Sequence, residues 1–550
     1  MASGSSENVA SSVSVGAQAG GTYGFWNGDI AEIVVFNTAL STADRARVEA
    51  YLAQRWGIAG VHAPATATSD PVGAWLDKSG NARHATQSTA GNRPVIHSAT
   101  QNNRKILSFD GSNDALLGTG AQALKTGMTV IGAYFSGAVN YSSLFAVGDS
   151  AAGKRWISGS SLGKIGIDYY TNSASVSASA SNRTGITSFT LNPSANSLGI
   201  RMDGAQVLSQ ASLSPALAAY TSDTFAVGTT PLANEQFFTG RVFELAVYNR
   251  VLSAAECRRV EQALGTKWGI TLAPQVSNAD AQDWVNRVYA NGGTVSASTA
   301  AAVNTLCDSL DAASLRDRFY RLNLFCGTGL NAALVPLYRG PSLGGTQYGN
   351  TTDTNNAFVG VGTDYAETGA SGGLTGNGST KYLNTGFNVD QLPGAANCHL
   401  SSFITGTQDI TSVRTLVGTI FNGVTDRYRL FLRTDSSTPP NYTLQIDLGK
   451  SEGVTQINRT NTSGGLLVGS RTSTTNLSLY ANGASAGSPN TNAVAETTGA
   501  SPFFVFARNG PTEYYNGRMA AYSIGAGMTA AQVTAYHTAI QAFQSAMGRV

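Results

Sequence analysis

The 550-residue chain carries a formal net charge of +2, which gives no electrostatic case for nucleic acid or an anionic membrane surface as a partner. Charged residues are 12% of the sequence, about half the usual fraction of roughly 25%, while 62 glycines and abundant Ser, Thr, Asn and Ala separate short apolar runs. Hydrophobic residues at 42% suffice for full cores, so this is a turn-rich β composition and not a disordered one. No stretch approaches 18 apolar residues, and the start MASGSSENVASSV has neither the basic n-region nor the apolar h-region of a Sec-type signal. Cys257, Cys307, Cys326 and Cys398 lie far apart without a C-x-x-C, which points to neither a zinc site nor a disulfide framework; a Cys307–Cys326 bridge stays open.

Residues 24–58 read as strand, turn and amphipathic helix. IAEIVVF alternates as a half-buried strand does, and Ser41-Thr-Ala-Asp44 is a capping box. Val48, Leu52 and Trp56 give the apolar stripe and Gly57 the stop. A new unit opens at residues 72–84 (VGAWLDKSGNARH) and continues at 107–117 (LSFDGSNDALL), followed by short alternating runs between Gly, Asn and Ser clusters. Asp203-Gly204 marks a tight hairpin. Residues 236–270 then repeat 24–58 without a gap, at a constant spacing of 212 residues from Gly28 to Gly240 and from Trp56 to Trp268. Ser253-Ala-Ala-Glu256, Val260, Leu264, Trp268 and Gly269 stand where the first copy has its cap, stripe and stop. That period exceeds the 20–50 residues of a solenoid repeat; it is a whole domain, so the chain is a tandem array entered in mid-domain.

Between residues 273 and 344 the spacing turns helical, with Trp284, Val285, Val288 and Tyr289, and later Leu315, Phe319 and Leu322, on common faces. A second β unit follows, with GLTGNGSTKYL at 373–383 and an Asn482-Gly483 hairpin. It closes on a diverged third strand-and-helix: Thr529-Ala-Ala-Gln532 caps, Val533, Tyr536, Ile540, Phe543 and Met547 form the stripe, and Gly548 stops it. The expected organisation is the C-terminal portion of a sandwich at 1–60, a complete sandwich at 65–272, a helical linker module at 273–344 and a diverged sandwich at 345–550.

W-x-D-K-S-G-N-x-R-H-A-T at Trp75, F-D-G-S-N-D at Phe109, M-D-G at Met202 and the closing G-x-[IV]-x-E-[IL]-x-[VI]-[FY]-N-x-x-L-S at Gly28 and Gly240 together resemble the concanavalin A-like, or laminin G-like, jelly-roll domain. The resemblance implies a mainly β fold of tandem sandwiches, each of two antiparallel sheets, and glycan binding, sometimes through Ca²⁺. The last domain also resembles structural proteins of tailed bacteriophages in G-N-G-S-T-K-Y-L at 376–383 and A-x-Y-S-I-G at 520–525. On that basis the expected protein is a non-enzymatic virion component, a fibre, spike or capsid decoration, with other virion proteins, copies of itself and surface glycans as partners. A secreted or surface adhesin and a polysaccharide-cleaving hydrolase are the alternatives.

Two G-x-S-x-G strings centre on Ser161 and Ser371, but a nucleophile elbow needs a strand before it and a helix after it, and a hairpin turn is the plainer expectation at Ser161. The Glu-x-Asp-x-x-Glu string of jelly-roll glucanases is absent, as are H-E-x-x-H, a complete Walker A and an EF-hand loop. Asp110, Asn113 and Asp114 offer oxygens to a hard cation such as calcium, against the alternative that they are simply turn residues. His84 is expected to be structural, and Glu32 and Glu244 to pair with a helix arginine such as Arg47 or Arg259. Tyr169, Tyr170, Tyr348, Tyr365 and Tyr514, at loop edges, are the candidate sugar-stacking aromatics. The incomplete first unit leaves strand edges that another chain would complete by strand addition, unless Met1 is not the natural start.

Overall fold

A computed structural model describes residues 15–17, 24–56, 67–137, 141–149, 154–169, 172–217, 219–231, 235–406, 412–421, 426–434, 441–449, 455–460, 464–487 and 499–550. Its helices are α1 (Thr42–Trp56), α2 (Ala254–Trp268), α3 (Ala279–Ala290), α4 (Ala297–Ala312), α5 (Leu330–Ala333) and α6 (Ala530–Ala546). Among the described residues no helix is long and apolar enough to cross a membrane.

The first complete sandwich packs an eight-stranded antiparallel sheet against a seven-stranded one. In the latter, Met128–Ser136 lies between Arg183–Asn192 and Thr239–Tyr248, and Leu107–Asp110 lies beyond. Side chains alternate along a strand, so Val130 and Tyr134 enter the core between the sheets. Ile131 and Ala133 point the other way, beneath Cys257, Leu264 and Trp268 of α2. Ser253 and Glu256 cap α2 reciprocally, and Gly269 ends it at φ 66°. Glu261, fully buried, fastens the helix to the sheet: Arg201 Nε donates to it at 2.9 Å and Ser188 Oγ at 2.7 Å.

The first copy of the repeat forms its helix but not its strand. Ser41 Oγ accepts from Asp44 N at 3.1 Å, while residues 30–36 pair with no strand among the described residues. Ile30, Ile33, Val34, Val35 and Phe36 are between 42% and 76% exposed. The physical reason is non-local: the second copy becomes a strand by lying between Met128–Ser136 and Leu107–Asp110, and no such neighbours flank the first among the described residues. Helix α1 instead leans on the next domain's opening motif, where Arg47 Nη2 donates to Asp77 O and lies 3.2 Å from His84 Nδ1. Glu32 pairs with a helix arginine as expected, though with Arg55 and not Arg47, while the partner of Glu244 is Lys267 and not Arg259. Trp56 Nε1 donates to Glu32 at 2.8 Å and Trp268 Nε1 to Glu244 at 2.7 Å, with Arg55 and Lys267 as the ionic partners. Gly57 lies outside the described residues.

The second sandwich again pairs an eight-stranded with a seven-stranded sheet. Residues 273–344 build onto it: α3, α4 and α6 share one core with Phe403, Leu466, Val468 and Ala521 on the outer face of the eight-stranded sheet. Phe319 and Leu322, expected on a helix, sit in the strand Phe319–Asn323, which extends that sheet beside Arg518–Gly525. A run this short is ambiguous in period, and the open edge decides it. Fully buried Arg321 bridges Asp353 at 2.6 Å, and Tyr522 and Asn323 complete that carboxylate's partners. Towards the first sandwich, Asn286 of α3 accepts from Gln206 N at 3.2 Å, and Ala273 N donates to Asp203 O at 2.6 Å. Both expected hairpins are two-residue loops with positive φ, at Asp203-Gly204 and Asn482-Gly483. All four cysteines are free and buried, so Cys307 and Cys326 are not bridged.

Candidate functional site

The predicted aromatics divide by which way their strands turn them. Tyr169 is 3% exposed and belongs to the first core, on the same face as its register partner Trp156. Tyr365 is 2% exposed and donates to Gly327 O at 2.5 Å, so neither ring meets a ligand. Tyr170 lies outside the described residues. Tyr348 is half-buried and stacked on Tyr320 at 5.5 Å. Tyr514 is half-buried and belongs to a group the sequence did not reveal.

That group stands on the seven-stranded sheet of the second sandwich. Leu383 and Val505 are register partners turned into the core, so Tyr382 and Phe504, one position along, lie on the outer face of the sheet, Tyr382 half-buried and Phe504 covered to 8% exposure. Their rings stack at 5.0 Å and 5°, and Tyr514 lies 6.3 Å from Tyr382. Arg414 Nη1 holds the turn by donating to Tyr514 O at 2.8 Å. Asn356 and Asn384 are the register neighbours of Tyr382 and Phe504; the Asn356 amide donates to Thr380 O at 2.8 Å and Asn384 Oδ1 accepts from Gly386 N at 2.9 Å. Tyr382 lies within the quoted GNGSTKYL, so the signal was present; its direction was not.

The same sheet carries Arg429 between two carboxylates, Asp447 at 2.8 Å and Glu513 at 3.0 Å, with Arg508 also on Glu513. Burial pushes the Asp447 carboxyl up despite Arg429. Burial acts on Glu513 in the same direction, but Thr415, Arg429 and Arg508 outweigh it and hold it below its ordinary value. Two carboxyls driven apart suggest an acid–base pair in chemistry alone. Asp447 is 1% exposed and bound by Arg429, however, so the cluster reads as a structural ion triad.

The loop carrying Asp110, Asn113 and Asp114 turns its oxygens inward. Asp110 Oδ1 accepts from the amides of Ser112, Asn113 and Asp114, and Asp114 Oδ2 accepts from Asp110 N at 2.8 Å. Burial, with the neighbouring Asp110 charge, raises the Asp114 carboxyl to about 6. Among the described residues no three His, Cys, Asp or Glu side chains gather as a metal site. Ser161 ends one strand of a hairpin whose turn is Leu162-Gly163, and Ser371 lies in a turn before a strand, so neither has the elbow's helix. His84 Nδ1 accepts from Asp77 N at 3.0 Å, a structural role.

A second concavity, of about 650 Å³, lies on the first complete sandwich. It is lined by Trp75, Asp77 and Arg83 of the opening turn, by Lys267 and Trp268, and by the consecutive residues 243–248.

No protein-family model and no curated protein matches this chain. Among solved structures it is similar to the Trypanosoma rangeli sialidase in complex with the inhibitor DANA (13% identity, 36% of this chain, TM-score 0.26), spanning 31% of that enzyme's length. It is also similar to domains LG4-5 of the mouse laminin α1 chain (10% identity, 76% of this chain and 86% of that one, TM-score 0.22). A third is the CBM40 of Ruminococcus gnavus IT-sialidase (16% identity, 26% of this chain and 85% of that one, TM-score 0.22). Likenesses at these scores carry no functional argument. With the strand order described above, the chain is a mainly β protein of two successive sandwiches, each of two antiparallel sheets.

Proposed function

We propose that this chain is a non-catalytic, lectin-like protein that binds a saccharide on the Tyr382–Phe504–Tyr514 platform of its second sandwich. The observation that carries this is the half-buried Tyr382 ring on the outer face of the sheet, backed by buried Phe504 at 5.0 Å and with half-buried Tyr514 6.3 Å away. Aromatic faces take the apolar C–H surface of a sugar ring while a few polar groups fix its hydroxyls. The finer reading is a component of a bacteriophage particle, as fibre, spike or decoration, in contact with other virion proteins. It rests on the resemblance of residues 376–383 and 520–525 to tailed-phage structural proteins. The former leads into the strand that carries Tyr382, and the latter is a central strand of the eight-stranded sheet.

The test is retention on a panel of bacterial surface polysaccharides, with and without chelator. Tyr382→Ala and Tyr514→Ala should each weaken retention about tenfold, as loss of an aromatic contact does. Retention should survive chelation, because Asp110 Oδ1 already serves three amides. Retention indifferent to both tyrosines would refute the platform as the site.

A further inference from the structure

The first sandwich's cleft is lined by a strand edge. Thr239–Tyr248 pairs along one side with Met128–Ser136 from Gly240 to Tyr248, but along the other with Leu107–Asp110 only from Thr239 to Val242. Residues 243–248 therefore have no partner strand on that side among the described residues, the condition that invites strand addition. The second sandwich shows the same edge filled. There Arg518–Gly525 pairs with Gly373–Thr375 only at Arg518 and Met519, and residues 522–525 receive Phe319–Asn323 as an added antiparallel strand.

We propose that the open edge at 243–248 is filled by residues 30–36 of a second copy of this chain, laid antiparallel in the cleft. That segment fits the edge: among the described residues it pairs with no strand, it alternates as a strand does and it exposes Ile30, Ile33, Val34, Val35 and Phe36. Charge agrees as well. The cleft presents Lys78, Arg83, Arg104 and Lys267 against Asp77 and Glu244, and Asp29, next to the incoming segment, brings a carboxylate. Each copy then offers one segment and one edge, and such a heterologous contact propagates head to tail. This contact is on the other sandwich from the saccharide platform and stands or falls separately from it.

Sedimentation velocity of the full chain over a wide concentration range tests it, together with amide exchange at residues 30–36. Mass should grow in steps of one chain, and protection of those amides should appear only as assembly does. Val34→Lys/Val35→Lys in the segment and Val247→Asp at the edge should each weaken association at least about tenfold, with unchanged melting. Mixing the two variants should give a dimer and nothing larger, since only one segment and one edge remain intact. Three results would overturn the proposal: a monomer at all concentrations, protection of residues 30–36 in the dilute monomer, or a mixture that stays monomeric. Association that survives both variants would overturn it too.

Discussion

Trp56 and Trp268 hold the same place in the repeat and make the same bond to Glu32 and Glu244, yet only Trp268 has a core to close, packing on Phe243 at 5.5 Å. Trp268→Ala should cost about 3–5 kcal/mol in denaturant unfolding of the first sandwich. Trp56→Ala, at a half-exposed position, should change stability by only about 0.5 kcal/mol. Glu261 and Glu49 differ in the same way: the former is buried on Arg201, the latter lies 3.6 Å from Arg45 on its own helix. Two titrating residues act in opposite directions. Asp114 is raised by burial to about 6, so its stabilising contribution is full below the ordinary value of 3.8 and is lost as pH rises through about 6. Burial lowers His399 to about 4, where its Nδ1 meets Ala526 O and its Nε2 meets Ser523 Oγ; its contribution is present above 6.5 and lost as pH falls towards 4. Urea unfolding as a function of pH should find Asp114→Asn gaining on the parent between pH 4 and 7. His399→Gln should lack the parent's loss between pH 6.5 and 4. Parallel curves for parent and variant would contradict either assignment.

Helix caps and hairpin tips were legible in the sequence because their chemistry is local. Ser253 with Glu256, Thr529 with Gln532, and Asn482-Gly483 each fix their geometry within a few residues. Strands were legible only where a partner exists: residues 30–36 have the pattern of residues 242–248, but a ladder needs neighbours from elsewhere in the chain. The same limit hid the candidate site. Which of Tyr169, Tyr365 and Tyr514 faces outward depends on register, and bulges such as the shift between Thr415 and Val417 reset the alternation that a sequence displays. The helical segment was read correctly at Trp284 and Val288 but not at Phe319, where a sheet edge overrode the spacing. At this scale the cysteines give a direct check. Burial pushes the Cys307, Cys326 and Cys398 thiols up to about 12, and buried thiols of that kind are inert. A thiol reagent should leave all four cysteines unlabelled until the chain is unfolded, and reductant should not shift its melting.

Across the molecule, the cores define the cooperative units. Residues 273–344 share a core with α6 and the second sandwich. Arg549, buried, donates to the carbonyls of Leu324, Phe325, Glu367 and Ala520, which ties helical segment and sheet together. The first sandwich joins this core through Ala205 and Val207, beside the contacts Asp203–Ala273 and Gln206–Asn286. Calorimetry should therefore show residues 273–344 melting together with the second sandwich, with Arg549→Met lowering that transition; a separate helical transition would contradict the shared core. Function at this scale follows from the same layout, with rigid sandwiches holding an aromatic platform on one domain and an open strand edge on the other. The most direct test of the central claim is retention on the polysaccharide panel with released reducing ends followed in the same wells. A non-catalytic lectin-like platform gives saturable retention with no release, whereas release of reducing ends by the parent would identify a hydrolase.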